Sequence, residues 1–426
     1  MWTCSRCGRK NRDRHCPSCG NPQPTDTEGR RKLNKSTVLI LVMIAIAAVA
    51  AIAIVLLLPD IGKRNEGGSS QSAGGTSSFD WGATEDEDDG FDWGLTDTED
   101  EVRGTIAGDF AYEVVDGKAE ISGYVGGASN VQVPSEIDGY EVVGIGESAF
   151  SWCESLRQIT IPEGVTVIDD WAFCFCEQLE EIVLPESLIR IGGQAFYGCE
   201  SLKSLHIPAA TVEIGGSALS ACDSIEEFTV GEGNEALTTK DGVLFSKDMT
   251  LLIAYTRGAT ATSYEIPDTV THIYTSAFAG SKSLTQITIP DSVTEIGGLA
   301  FNDCSGLTEV VIPKGVTIIN RGAFTWCSSL TKLTICEGVT TIEGDAFSFC
   351  DSLSEVVIPK SVTSIEASAF GYCDNLSSVI FEGAPPIIDG GAFPEGVTLY
   401  YPAAYANQWT PEGATTWNGF RIEQRG

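Results

Sequence analysis

The chain has 426 residues, with 26 Lys+Arg against 59 Asp+Glu, 14 Cys and 3 His, for a formal net charge of −33. That length holds two or three domains or one long repeat array. The negative charge repels phosphate and so argues against nucleic acid and anionic lipid headgroups as partners, and three histidines leave little for acid–base chemistry near neutral pH.

Residues 1–20 carry two C-x-x-C pairs, Cys4-Ser-Arg-Cys7 and Cys16-Pro-Ser-Cys19, each followed directly by a glycine. Two such pairs supply four thiolates for a tetrahedral Zn2+, with Gly8 and Gly20 allowing the tight turns such a site needs. A redox pair would need only one C-x-x-C inside a βαβ pattern, which is lacking here. The stretch resembles the short zinc ribbons at the N-termini of many bacterial membrane proteins, including the Trp2-x-Cys4 opening. All four positions are filled, so the expected metal ligands Cys4, Cys7, Cys16 and Cys19 make a closed, structural site; His15 is a substitute ligand beside Cys16.

Residues 21–37 form a basic linker, and residues 1–37 together hold 9 Lys+Arg against 3 Asp+Glu. Residues 38–58 carry no charge and, as a helix at 1.5 Å per residue, span ~31 Å, the thickness of a hydrocarbon core. The run lacks the polar stripe of a globular helix and is longer than the apolar part of a cleaved signal. We therefore expect a single transmembrane anchor. Arg30, Arg31, Lys32 and Lys35 precede it and only Lys63 and Arg64 follow it closely, which keeps the N-terminus in the cytoplasm and places the rest outside the cell. Residues 59–104 are Gly/Ser-rich and acidic, a composition expected to form a disordered tether. Phe79-Asp-Trp-Gly82 and Phe91-Asp-Trp-Gly94 repeat within it, as part of a solvated spacer, a docking motif or a weak cation-binding strip.

Self-similarity dominates the remainder. Phe150, Phe173 and Phe196 stand 23 apart, Leu219 keeps the phase, and the spacing resumes from Phe278 through Phe301, Phe324, Phe347, Phe370 and Phe393. Ala precedes each of these residues, and Cys follows three later at 153, 176, 199, 222, 304, 327, 350 and 373. In one repeat, Ile168, Ala172, Phe173 and Cys176 have the spacing of a helical face, while Leu179, Ile182 and Leu184 end in a period-two strand pattern closed by Pro185. Each coil thus reads as a strand, a turn and a helical or tightly turned return. No coil encloses its own apolar residues, so stacked coils must share a continuous core.

This pattern resembles the BspA-like, or Treponema pallidum type, leucine-rich repeats, over roughly residues 108–410. The resemblance implies a β-rich right-handed leucine-rich-repeat solenoid of 23-residue coils, with a parallel sheet along one face and short helical turns. It also implies an N-terminal cap at 105–140, with repeats over 141–400. A hairpin insert at 231–264, around Asp241-Gly-Val-Leu-Phe245, and a C-terminal cap and tail at 401–426 complete the set. Members are mostly bacterial surface proteins, several implicated in adhesion, and no fixed set of functional residues carries over. Departures here are Leu219 for Phe, Ser281 for Cys and Cys336 for Pro.

The periodic cysteines read as a buried ladder of free thiols rather than disulfides, because a bridge would distort a regular packing column. His206 and His272 fall on outward strand positions in separate coils. No nucleophile elbow, zinc-protease or phosphate-loop motif occurs, so the chain reads as a non-enzyme. The candidate binding surface is an aromatic row two residues after the repeat Phe: Trp152, Phe175, Trp326, Phe349 and Tyr372. The alternative is that these rings pad the space between coils. A second candidate is the outward strand row containing Thr160, Val183, His206, Thr229, Thr288, Val311, Thr334 and Val357. The expected function is a membrane-anchored surface binding or adhesion protein for extracellular protein or glycan ligands. The alternative is a transmembrane sensor or assembly factor whose zinc ribbon recruits a cytoplasmic partner.

Overall fold

A computed structural model describes residues 104–256, 258, 260–410 and 415–425, together with Trp2–Thr3 and Lys10–Asn11. Trp2–Thr3 pairs antiparallel with Lys10–Asn11, with Cys4 and Cys7 in the connection. The four proposed metal ligands, the apolar run 38–58 and the tether at 59–103 lie outside the described residues. Among the described residues no helix is long and apolar enough to cross a membrane. Asp100–Gly426 forms a compact unit.

That unit is a solenoid of 23-residue coils with two rows of short strands rather than one. The first row runs through Gln158–Thr160, Glu181–Val183 and Ser204–Ile207, and later through Glu309–Ile312, Lys332–Ile335 and Glu355–Ile358. Its strands are parallel and in register, for example Val310 beside Leu333. Burial alternates along each: Leu333 and Ile335 point inward, Lys332 and Thr334 outward, as the period-two pattern dictates. The second row is built of two-residue strands such as Val167–Ile168, Arg190–Ile191 and Glu213–Ile214, also parallel.

Of the two returns the sequence leaves open, helical or tightly turned, the coils form the tightly turned one, and the short helical turns that the resemblance implies are not formed in the described repeats. Ile168 lies on a strand, Ala172 and Phe173 lie in a turn, and Cys176 follows it. A helix cannot form because each turn holds two left-handed residues four apart: Ser148 and Trp152 at φ 58° and 60°, then Trp171 and Phe175 at 60° and 56°. Alternate amides bond forward to the next coil instead of back along the chain. Phe150 N–H reaches Ala172 O at 2.7 Å and Trp152 N–H reaches Cys174 O at 2.8 Å, while the intervening Ser151 and Cys153 amides close i−3 turns. The return is therefore a third hydrogen-bonded ladder between coils.

Inside, the repeat phenylalanines stack in a column, with ring centroids 4.8 Å apart for Phe301–Phe324 and 5.4 Å for Phe324–Phe347. Two tyrosines extend the column, Tyr255 in the 23-residue phase and Tyr124 outside it. Tyr124 stacks on Phe150 at 5.3 Å, and Tyr255 stacks on Phe278 at 5.0 Å. The hairpin Leu237–Lys240 and Val243–Ser246 is antiparallel, and Leu251–Ala254 returns antiparallel to it before pairing parallel with His272–Ile273. Its side chains face two cores. Leu244, Ile253 and Ala254 join the cluster built from Tyr112 to Phe228, whereas Val243, Phe245, Leu252 and Tyr255 join the cluster running on to Ile422. A strand buried on both faces needs an uninterrupted apolar run, which Val243-Leu-Phe supplies. At the far end Trp409, fully buried, donates its indole N–H to Gly383 O at 3.1 Å and closes the core.

Candidate functional site

The turn that excludes a helix also carries the aromatic row. In each coil the second left-handed residue projects its side chain at the solvent edge; Gly198 and Gly280 occupy the position at φ 74° and 75°, as unbranched backbone favours. Five coils place an aromatic there at a steric cost on the order of 1 kcal/mol. Face-to-face stacking offsets that cost. Trp326 and Phe349 lie 3.9 Å apart and Phe349 and Tyr372 4.6 Å apart, each pair within 4° of parallel. Trp152 stacks on Phe175 at 4.2 Å, and Tyr197, a ring outside the expected row, meets Phe175 edge-on at 5.4 Å. The structure brings the five expected residues together as two groups, in neighbouring coils of each half of the array. Trp152 is 52 % exposed and Tyr372 47 %, and the inner rings are half-buried.

The outward strand row is exposed along its length, from Thr160 to Val357. It is flanked by charges that pair between coils: Arg157 with Glu180 at 2.6 Å, Lys203 with the same Glu180 at 3.4 Å, and Lys332 with Glu309. On the second row Arg190 bridges Asp169, Asp170 and Glu213 at 2.9–3.2 Å. Arg157 and Lys203 hold the Glu180 carboxyl below its ordinary range through hydrogen bonds. His206 shares a 2.9 Å hydrogen bond with Thr229 Oγ1, and His272 one of 2.7 Å with Thr271 Oγ1. His206 is thus engaged with a row neighbour, and His272 with the preceding residue and, at 3.4 Å, with Glu295 of the next coil. A cavity of about 20 Å³, bounded by Leu219, Tyr255, Tyr274 and Ser276, lies where the two halves meet; it is about the size of one water.

The model of the BspA type leucine-rich repeat region matches six copies over residues 130–247 and 254–377, more than half of the chain. The chain belongs to the BspA-type leucine-rich repeat family. Among solved structures it is similar to a leucine-rich repeat protein from Eubacterium ventriosum, at 24 % identity and a TM-score of 0.53, covering 71 % of this chain and 95 % of that one. It also matches a leucine-rich cell surface protein from Faecalibacterium prausnitzii, at 26 % identity, 66 % and 95 % coverage and a TM-score of 0.49. The pneumococcal vaccine antigen PcpA matches at 20 % identity, 76 % and 99 % coverage and a TM-score of 0.49. A comparison with curated proteins finds no match.

In this BspA-type solenoid the repeat cysteines are structural donors. Each buried thiol reaches the backbone oxygen of the phenylalanine one coil earlier: Cys176 to Phe150 at 3.0 Å, Cys304 to Phe278 at 3.1 Å and Cys373 to Phe347 at 3.1 Å. All ten described cysteines are free. Burial pushes the thiols of Cys199, Cys327 and Cys350 well above their ordinary range and that of Cys174 up to about 12. The thiolate is the nucleophile, so these groups are chemically inert in the native state. Ser281, which replaces Cys in this ladder, is 3 % exposed and leaves its hydroxyl without a hydrogen-bond partner.

Proposed function

We propose that this protein is a surface-displayed binding or adhesion protein whose repeat array presents the aromatic row to an extracellular ligand. The observation that carries the reading is the pair of exposed aromatic groups, set at left-handed backbone positions in consecutive coils. A preorganised ring row binds at little cost in side-chain entropy, and aromatic residues dominate the energetics of protein interfaces. Family membership supports a binding role. The uncharged run 38–58 supports a membrane anchor, with the basic residues before it supporting an internal N-terminus. The spacing of Cys4, Cys7, Cys16 and Cys19 supports a structural Zn2+.

The test is binding of the purified chain to immobilised matrix proteins and glycans, with Trp326→Ala and Tyr372→Ala in parallel. We expect at least one immobilised species to be bound and both variants to weaken it tenfold or more with intact folding. Variants that bind as the parent does would move the contact surface to Thr288, Val311 and Thr334. Protease added to intact cells checks the topology: the array should be removed and the N-terminal cysteines retained.

A further inference from the structure

The aromatic row does not stand alone on its edge. Two residues after Trp152, Phe175, Phe349 and Tyr372 come Glu154, Glu177, Asp351 and Asp374, so four of the five rings are followed by a carboxylate across one cysteine. The turn fixes the two together: the Glu154 amide donates to the Trp152 carbonyl at 2.8 Å. Asp351 and Asp374 occupy equivalent places in adjacent coils, and burial together with Asp374 raises the Asp351 carboxyl above its ordinary range. Among the described residues none of these four carboxylates has an ion-pair partner, whereas Arg157, Arg190, Lys203, Lys314 and Lys332 are all committed to bridges between coils.

Ring geometry narrows the ligand further. A pyranose stacks on the face of an aromatic ring, but at 3.9 and 4.6 Å the inner faces of Trp326, Phe349 and Tyr372 are occupied by one another. What remains is the ring edges and the exposed end rings Trp152 and Tyr372, each followed two residues later by a carboxylate. A negative face with an adjacent acid suits a guanidinium or ammonium group, and apolar ring edges suit the methylene stem that carries it.

We propose that the aromatic–carboxylate edge binds a basic polypeptide segment, with Arg or Lys side chains seated on Tyr372 and Trp152 and neutralised by Asp374, Asp351 and Glu154. The occupant must bring positive charge, because the chain has 59 acidic against 26 basic residues and many of the bases on the array, such as Arg157, Arg190 and Lys314, already bridge coils. The inference rests on the binding role proposed above and names its partner class.

The probe is a fluorescein-labelled dodecapeptide of alternating Arg and Ser, titrated by anisotropy against the full chain in detergent micelles at two salt concentrations. A Glu/Ser peptide and a neutral hexasaccharide run alongside. The Arg/Ser peptide alone should bind. Asp351→Asn with Asp374→Asn should weaken it tenfold or more, and Tyr372→Ala threefold or more at an unchanged melting temperature. The charge-matched pair Glu226→Gln with Glu227→Gln should change it less than twofold. Equal losses in the two charge-neutralised pairs would reduce the effect to net charge and overturn the proposal, as would undiminished binding by Tyr372→Ala. If the Arg/Ser peptide fails to bind while Tyr372→Ala still abolishes capture on the matrix and glycan panel, the basic-segment proposal falls and the surface-binding reading stands. If Tyr372→Ala leaves that capture intact, the contact surface is not the aromatic row, and the basic-segment proposal falls with that assignment.

Discussion

Replacing Ser281 by Cys should stabilise the array, against the usual direction of substitutions in a core. Ser281 occupies the ladder position between the insert coil and the Phe278 coil, and its hydroxyl is buried without a partner. An unmet buried hydroxyl costs about 1–3 kcal/mol. Elsewhere in the ladder each donor thiol meets the oxygen of the residue 26 positions earlier, which for position 281 is Tyr255, the tyrosine that continues the Phe278 stack. The longer C–S bond of cysteine carries its donor toward that oxygen and fills space that the serine leaves. Allowing for the weakness of an S–H donor, the gain is about 1–2 kcal/mol, or a rise in Tm of roughly 1.5–3 °C in a unit of this size. Thermal unfolding followed by circular dichroism measures it, with Ser281→Ala, which only removes the hydroxyl, expected to fall between parent and Ser281→Cys. The new thiol should stay unreactive until the protein is denatured. An unchanged or lowered Tm, or a native thiol that reacts as fast as an exposed one, would refute the assignment of position 281 to the ladder.

Phe347→Ala removes a fully buried ring stacked on both sides and should cost about 3–5 kcal/mol, read as a large fall in the denaturation midpoint. At Phe349 the order of small residues should invert: φ is 59°, so Phe349→Gly is expected to be more stable than Phe349→Ala by about 0.5–1 kcal/mol, measured by urea titration of the two variants. Glu180 has a depressed folded pKa, so its bridges to Arg157 and Lys203 contribute above the ordinary carboxylate range and are lost as pH falls through the lowered value. Glu180→Gln should therefore flatten the acid limb of a stability-versus-pH curve and leave its alkaline side unchanged.

Much of the architecture is legible in the amino-acid sequence because each coil meets the same surroundings as the last. The identical environment demands the same residue, and Ala-Phe-x-x-Cys recurs every 23 residues as a direct imprint of stacking. The aromatic row could be named for the same reason. Folding decided the rest where local pattern and spatial neighbour part company. Ile168, Ala172, Phe173 and Cys176 have helical spacing, yet two left-handed residues per turn send alternate amides such as Phe150 N–H to the next coil, so the return is a ladder and Ile168 a strand. Tyr124 completes the phenylalanine column although it stands 26 residues before Phe150 and so outside the repeat phase, because the cap brings it there through space. The 23-residue period places the rings in two stacked groups, but whether they offer faces or edges depends on ring orientation and the distance between coils, and at 3.9 Å for Trp326 and Phe349 the inner faces are closed.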